Sequence, residues 1–173
     1  MPVAYVHRVT EYAGSVSRYD WLLFLHLVSA FALVGGAVAI QAFWLAAVRR
    51  DRPSEIAILM RLGQFAELAI NVGAMGTLIF GIWLALDLDA YSITDGWILA
   101  ALVLWAASGG LGGAGGARYK KARLEAERLA AADDVATPEL HARLRDPIAA
   151  ALSWGSGLAV LAILVLMIWK PGA

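Results

Sequence analysis

The stretch WLLFLHLVSAFALVGGAVAIQAFWLAAV, residues 21–48, holds no Asp, Glu, Lys or Arg and one titratable side chain, His26. About 20 apolar residues cross the hydrocarbon core of a bilayer, so this run reads as a membrane-spanning helix. Three more runs of the same kind follow, at 67–86, 97–117 and 147–169. The 173 residues therefore predict an all-α integral membrane protein, a single four-span antiparallel bundle whose main neighbour is the lipid bilayer.

Composition points the same way. Hydrophobic residues make up 61% and charged residues 16%, where soluble domains carry about 25% charged. Net charge is zero, which gives no electrostatic footprint for nucleic acid. Cysteine is absent, so disulfides, thiolate metal sites and thiol catalysis are excluded. The tail of residues 1–20 mixes Arg8, Glu11, Arg18 and Asp20, and the apolar run after it is too long for a signal core. It reads as a retained outer tail. Tyr5, Val9, Tyr12 and Val16 recur there at helical spacing, as in an interfacial helix.

Charge sets the expected orientation. The segment between the first two spans has Arg49, Arg50, Arg52 and Arg61, and the segment 118–146 has seven Lys or Arg; together they hold 11 of the 14. The short connection between the second and third spans has none, but carries Asp87, Asp89 and Asp95. The positive-inside rule then predicts a multi-pass protein of the plasma (inner) membrane with both termini outside. Trp21, Trp83, Trp97 and Trp169 fall at the same outer boundary, as an aromatic belt would.

Local signals mark the helix ends. Asp20 and Asp95 are candidate caps for the first and third spans, and Asp146-Pro147 for the fourth. Asp51 and Pro53 start the second helix before the membrane, so that it runs past 30 residues. Segment 118–146 reads as a helical cytoplasmic extension, with Lys121/Glu125 and Arg123/Glu127 four apart and a restart at Thr137-Pro138. Its basic residues suit a solvated anchor or a lipid-binding surface.

Membrane helices pack through small and polar residues and turn large apolar ones to lipid. On the first helix His26, Ser29, Ala30, Leu33, Gly36, Ala37 and Trp44 form such a packed face, opposite Phe24, Val28, Phe31, Val38 and Leu45. On the second, Glu67, Asn71, Ala74, Leu78, Gly81 and Ala85 share the side expected to face inward, with Glu67 within reach of Arg61 or a loop arginine. On the fourth, Ser153, Gly157, Val160, Leu164 and Met167 align. The third span contains Gly109, Gly113 and Gly116, GxxxG-type positions for close packing within the chain, for a homo-oligomer, or for a larger membrane complex. The letters Gly110-x-Gly112-x-x-Gly115 do not read as a dinucleotide site, because a membrane helix and not a strand precedes them.

His26 is the candidate functional residue, since an ionisable side chain in a span is a functional hypothesis by default. It stands six residues past Asp20, about 9 Å along the helix in the outer leaflet. One reading is a neutral imidazole bonded to a serine or carbonyl on a neighbouring helix. Another is an axial ligand of b-type haem, with the iron as its metal. Proton transfer or a transition-metal site is a third. Met167, at similar depth, is the candidate second ligand; His141 lies at the far end and His7 in the tail. No catalytic residue is assignable, and a second histidine or carboxylate at zinc-ligand spacing is missing. A cofactor-free assembly subunit is the alternative function. A transporter ranks last, for want of a broken span or a chain of deep ionisable groups.

The run Trp21-Leu22-Leu23-Phe24-Leu25-His26-Leu27-Val28 followed by Gly35-Gly36, and the closing Met167-Ile168-Trp169-Lys170-Pro171-Gly172, resemble a bacterial family of uncharacterised small four-span membrane proteins. The first helix is also distantly similar to the copper-resistance D membrane domain and the J-type protoporphyrinogen oxidase. That resemblance implies a haem-associated four-helix core with its first-helix histidine at His26. The chain lacks the oxidase's additional intramembrane histidine.

Overall fold

The structure is a computed structural model and describes residues 17–87, 92 and 94–171. The proposed tail helix with His7 lies outside these residues. Five helices follow in order: α1 (Arg18–Ala47), α2 (Pro53–Asp87), α3 (Gly96–Ala130), α4 (Pro138–Leu144) and α5 (Pro147–Trp169). Four of them, all but the short α4, are long and apolar enough to cross a membrane. The described residues contain no strand. The second helix does start at Pro53, and it runs 35 residues. The third span continues as one helix into the basic segment, to Ala130.

Helix ends follow capping chemistry, with corrections. Asp20 is not the N-cap of α1. Ser17 is, and Asp20 closes a capping box by accepting from the Ser17 backbone N–H. Asp146 caps α5 as expected, accepting from Ile148 N at 2.9 Å with Pro147 next. Thr137 caps α4 through Leu140 N. Asp95 sits at the N-cap of α3, but its carboxylate accepts from Ser92 N instead of the helix. The cap of α2 comes from far along the chain. Asp134, at φ 55°, accepts from both the N–H and the hydroxyl of Ser54 at 2.8 Å. Of the two expected charge pairs, Arg123–Glu127 forms; Glu125 bonds Arg128 instead of Lys121, and Arg61 also reaches Glu127.

The bundle is two tight helix pairs, α1 with α2 and α3 with α5, joined along α2 and α3. At the basic end the pairs share a core of Trp44, Ala47, Ile56, Ala57, Met60, Ala122, Ala126, Leu129, Leu140 and Leu144. Trp44 lies against Tyr119 with ring centroids 3.8 Å apart. Helices of 35 residues are longer than a hydrocarbon layer of about 30 Å, and where this basic end meets water its burial stabilises by about 1.5–3 kcal/mol for each large apolar side chain. Within the membrane lipid is as apolar as leucine, and close packing must hold the helices.

The closest backbone packing falls where the glycines of α1 and α2 lie against the facing helix, and only part of the glycine-rich third span packs closely. A Cβ on Gly36 would stand 2.8 Å from the Ala66 carbonyl oxygen, and one on Gly73 2.7 Å from that of Ser29. Gly109, Gly110 and Gly113 have open space beside them; Gly112 and Gly115 of the same run pack on α5. The α1 faces are as expected: Phe24, Val28, Phe31, Val38 and Leu45 are exposed towards lipid. On α2 the expectation holds only in part: Gly81 packs against His26, but Glu67 and Asn71 lie exposed while Ala66 and Gly73 are buried. On α5, Gly157 faces open space. Trp21, Trp83 and Trp169 are exposed at one end as a belt, whereas Trp97 is 6% exposed.

Candidate functional site

Helix α1 carries His26 on the face packed against α2, and the fit there depends on small residues. A Cβ on Gly81 would come 2.9 Å from His26 Cε1, so the glycine lets the imidazole lie close against the α2 backbone. One turn further in, Ser29 packs on Gly76 in the same way. The apolar ladder then continues through Leu33 beside Gly73 and Gly36 beside Ile70. The hydroxyls within this ladder turn back to their own helices, Ser29 to the Leu25 carbonyl and Thr77 to the Gly73 carbonyl, both at 2.7 Å. That satisfies them without water.

The His26 ring is half-buried and its Nδ1 lies 3.1 Å from the Thr77 carbonyl oxygen. A carbonyl only accepts, so the ring nitrogen donates and Nδ1 bears the proton. Nε2 is then the unprotonated nitrogen, with a lone pair for a donor or a metal. The neighbouring-helix carbonyl of the first sequence reading is therefore present, and it leaves the second ring nitrogen available.

The other candidates lie elsewhere. Met167 is half-buried on α5, two residues before the exposed Trp169, in the other helix pair from His26. His141 sits on α4 at the basic end, its Nδ1 3.2 Å from the Thr137 carbonyl oxygen. Among the described residues no group of three His, Cys, Asp or Glu side chains is placed to hold a metal ion. An ion ligated by side chains alone therefore does not fit His26. Haem makes a smaller demand, because the porphyrin supplies four nitrogens and the protein one or two axial ligands.

Two polar contacts that sequence reasoning missed hold the bundle, one between the helix pairs and one within the α3–α5 pair. Gln41 Nε2 donates to Ser153 Oγ across α1 and α5. Ser108 and Ser156 bond each other across α3 and α5, Ser156 Oγ donating to the Ser108 carbonyl at 3.0 Å. Isolated serines at helical spacing were the available signal. A cavity of about 30 Å³, lined by Ile40, Trp44, Met60, Gly63, Tyr119 and Arg123, adjoins the basic-end core. It has room for about one water and is far from His26 along α1.

The family described as "Predicted integral membrane protein (DUF2269)" matches residues 20–171, almost all of the chain. No curated protein and no solved structure matches.

Proposed function

The chain belongs to the DUF2269 family of predicted integral membrane proteins, and on that premise we propose that it binds b-type haem through Nε2 of His26, for electron transfer or haem handling. The observation that carries this reading is the Nδ1 contact with the Thr77 carbonyl. A ligating histidine almost always donates its other ring N–H to a carbonyl, carboxylate or water, which selects the tautomer and raises the basicity of the ligating nitrogen. When bound, haem would supply one-electron iron chemistry.

The protein's own contribution is positional. Thr77 holds the proton on Nδ1 and orients the ring, and Gly81 keeps the ring against α2. Met167 is the second residue proposed to hold the group, from α5. With the basic end in the cytoplasm, as the positive-inside rule predicts, His26 lies in the outer leaflet, about 7.5 Å below the Trp21 level. A redox partner would then approach from outside.

The test is an absorption spectrum of purified protein, as isolated and after dithionite, beside His26→Ala. A Soret band with sharpened α and β bands on reduction, lost in the variant, is expected. A featureless spectrum unchanged by added haemin would overturn the reading and leave the cofactor-free assembly subunit in its place.

A further inference from the structure

Helix α2 carries a second unusual face, independent of His26 and of any cofactor. Gln64, Glu67 and Asn71 stand at i, i+3 and i+7, so they line one side of the helix, and all three are exposed. Trp83 marks the tryptophan-rich boundary of the same helix. Asn71, Glu67 and Gln64 lie 12, 16 and 19 residues before it, about 18, 24 and 28 Å away. Asn71 therefore falls well inside the roughly 30 Å hydrocarbon layer, with Glu67 and Gln64 towards its basic-end boundary. The register with α1 agrees: Gly36 meets Ala66 and Ile70, which puts this stretch level with lipid-facing Val38. Among the described residues none of the three side chains has a hydrogen-bond partner. Polar side chains facing lipid at that depth are costly and almost always meet protein or an aqueous cavity.

The adjacent helix is shaped to complement them. Trp105 Nε1 donates to the Ala74 carbonyl and docks α3 beside the polar stripe. Gly116 lies 3.8 Å, at its missing Cβ, from the Glu67 carboxylate, while Gly109 and Gly113 open onto free space. Ala106 and Ala117 are exposed on the same flank of α3. A row of hydrogen-bonding side chains thus borders a shelf with almost no side chains.

We propose that this α2–α3 groove is the interface of a parallel homodimer, with a second copy of this chain as its occupant. Copies inserted by the same rule share one orientation, so a two-fold axis along the membrane normal sets each residue opposite itself at equal depth. Amides suit that symmetry because each both donates and accepts. Asn71 then bonds Asn71 of the copy and Gln64 bonds Gln64. The Glu67 oxygens accept from the amide N–H groups one turn above and below. The glycine shelf lets the helices approach closely enough for these short side chains to meet.

The chain has no cysteine, so single-cysteine variants report one position each. Full-length protein in liposomes is examined by disulfide cross-linking and by single-molecule photobleaching across protein-to-lipid ratios. We expect dimers, cross-linked by a cysteine at Gly113→Cys and not at Phe31→Cys on the lipid face of α1. Gln64→Leu/Asn71→Leu should weaken dimerisation about tenfold or more, since it removes both amide pairs across the interface and the N–H donors to Glu67. Its monomer should stay folded, because leucine facing lipid costs nothing, and Gln64→Asn should retain dimers. A wild-type protein that stays monomeric at every density would overturn the proposal. So would dimers indifferent to Gln64→Leu/Asn71→Leu, cross-linking at Phe31→Cys, or association only with a different membrane protein.

Discussion

Gly73→Ala and Gly109→Ala make the same chemical change in two transmembrane helices and should have opposite effects. A Cβ at position 73 would stand 2.7 Å from the Ser29 carbonyl oxygen and 2.9 Å from Leu33 Cα, where ordinary contact begins near 3.4 Å. These are backbone atoms of another helix, so no side chain can turn aside. Leu33 N stands nearer still, so helices α1 and α2 must separate by at least about 0.7 Å, and a gap of 0.5–1 Å forfeits a quarter to a half of each dispersion well. Overpacking of this kind costs about 1–3 kcal/mol, against a gain of up to about 1 kcal/mol in helix propensity. The net expectation is a loss of about 1–2 kcal/mol, or roughly 5- to 30-fold in the folding equilibrium. Within one chain Gly109 has open space, so in the monomer only the propensity term acts and stability should rise slightly. The assay is SDS-induced unfolding in mixed micelles, followed by tryptophan fluorescence. Separation should also stretch the 3.1 Å contact from His26 to Thr77, so Gly73→Ala should alter any His26-dependent spectrum while Gly109→Ala leaves it unchanged. Equal stabilities for the two variants, or a stabilised Gly73→Ala, would refute the reasoning that backbone contact between α1 and α2 holds the bundle.

Trp44→Ala removes the aromatic centre of the basic-end core and should cost about 3–5 kcal/mol, read in the same unfolding assay. Asp134→Ala leaves the Ser54 N–H at the start of α2 without its long-range cap and should cost about 0.5–2 kcal/mol; faster hydrogen exchange at Ser54 would localise the effect. Arg61 and then Arg123 hold the Glu127 carboxyl below its ordinary range. A depressed folded-state value contributes stability that is present above the unfolded value near pH 4.3 and lost as pH falls through the folded one. The stability gap between wild type and Glu127→Gln should therefore be constant near neutrality and close below about pH 4; a gap that persists into acid would exclude the pairing as its source.

Elements whose cause is local were legible in sequence. The four apolar runs, the Asp146-Pro147 and Thr137-Pro138 starts and the lipid-facing side of α1 all follow from residues within a turn or two of one another. His26 was legible as a candidate because it is a lone imidazole in an apolar run. Its partner was not, since a backbone carbonyl from residue 77 leaves no mark in composition. The α2 faces were misread for a related reason. In water polar residues mark the outside and in lipid the inside, and Gln64, Glu67 and Asn71 obey neither rule within one copy of the chain.

Spans, helix lengths and charge asymmetry were determined by the sequence alone, because the transfer of each side chain between water and hydrocarbon depends little on its neighbours. Tertiary structure decided which glycines touch, which serines pair, where Glu67 and Asn71 point, and which nitrogen of His26 is held. In lipid there is no hydrophobic penalty to rank one helix face above another. The winning contact is set by how closely two backbones can approach over many residues, and that is a property of the pair of helices and not of either sequence by itself.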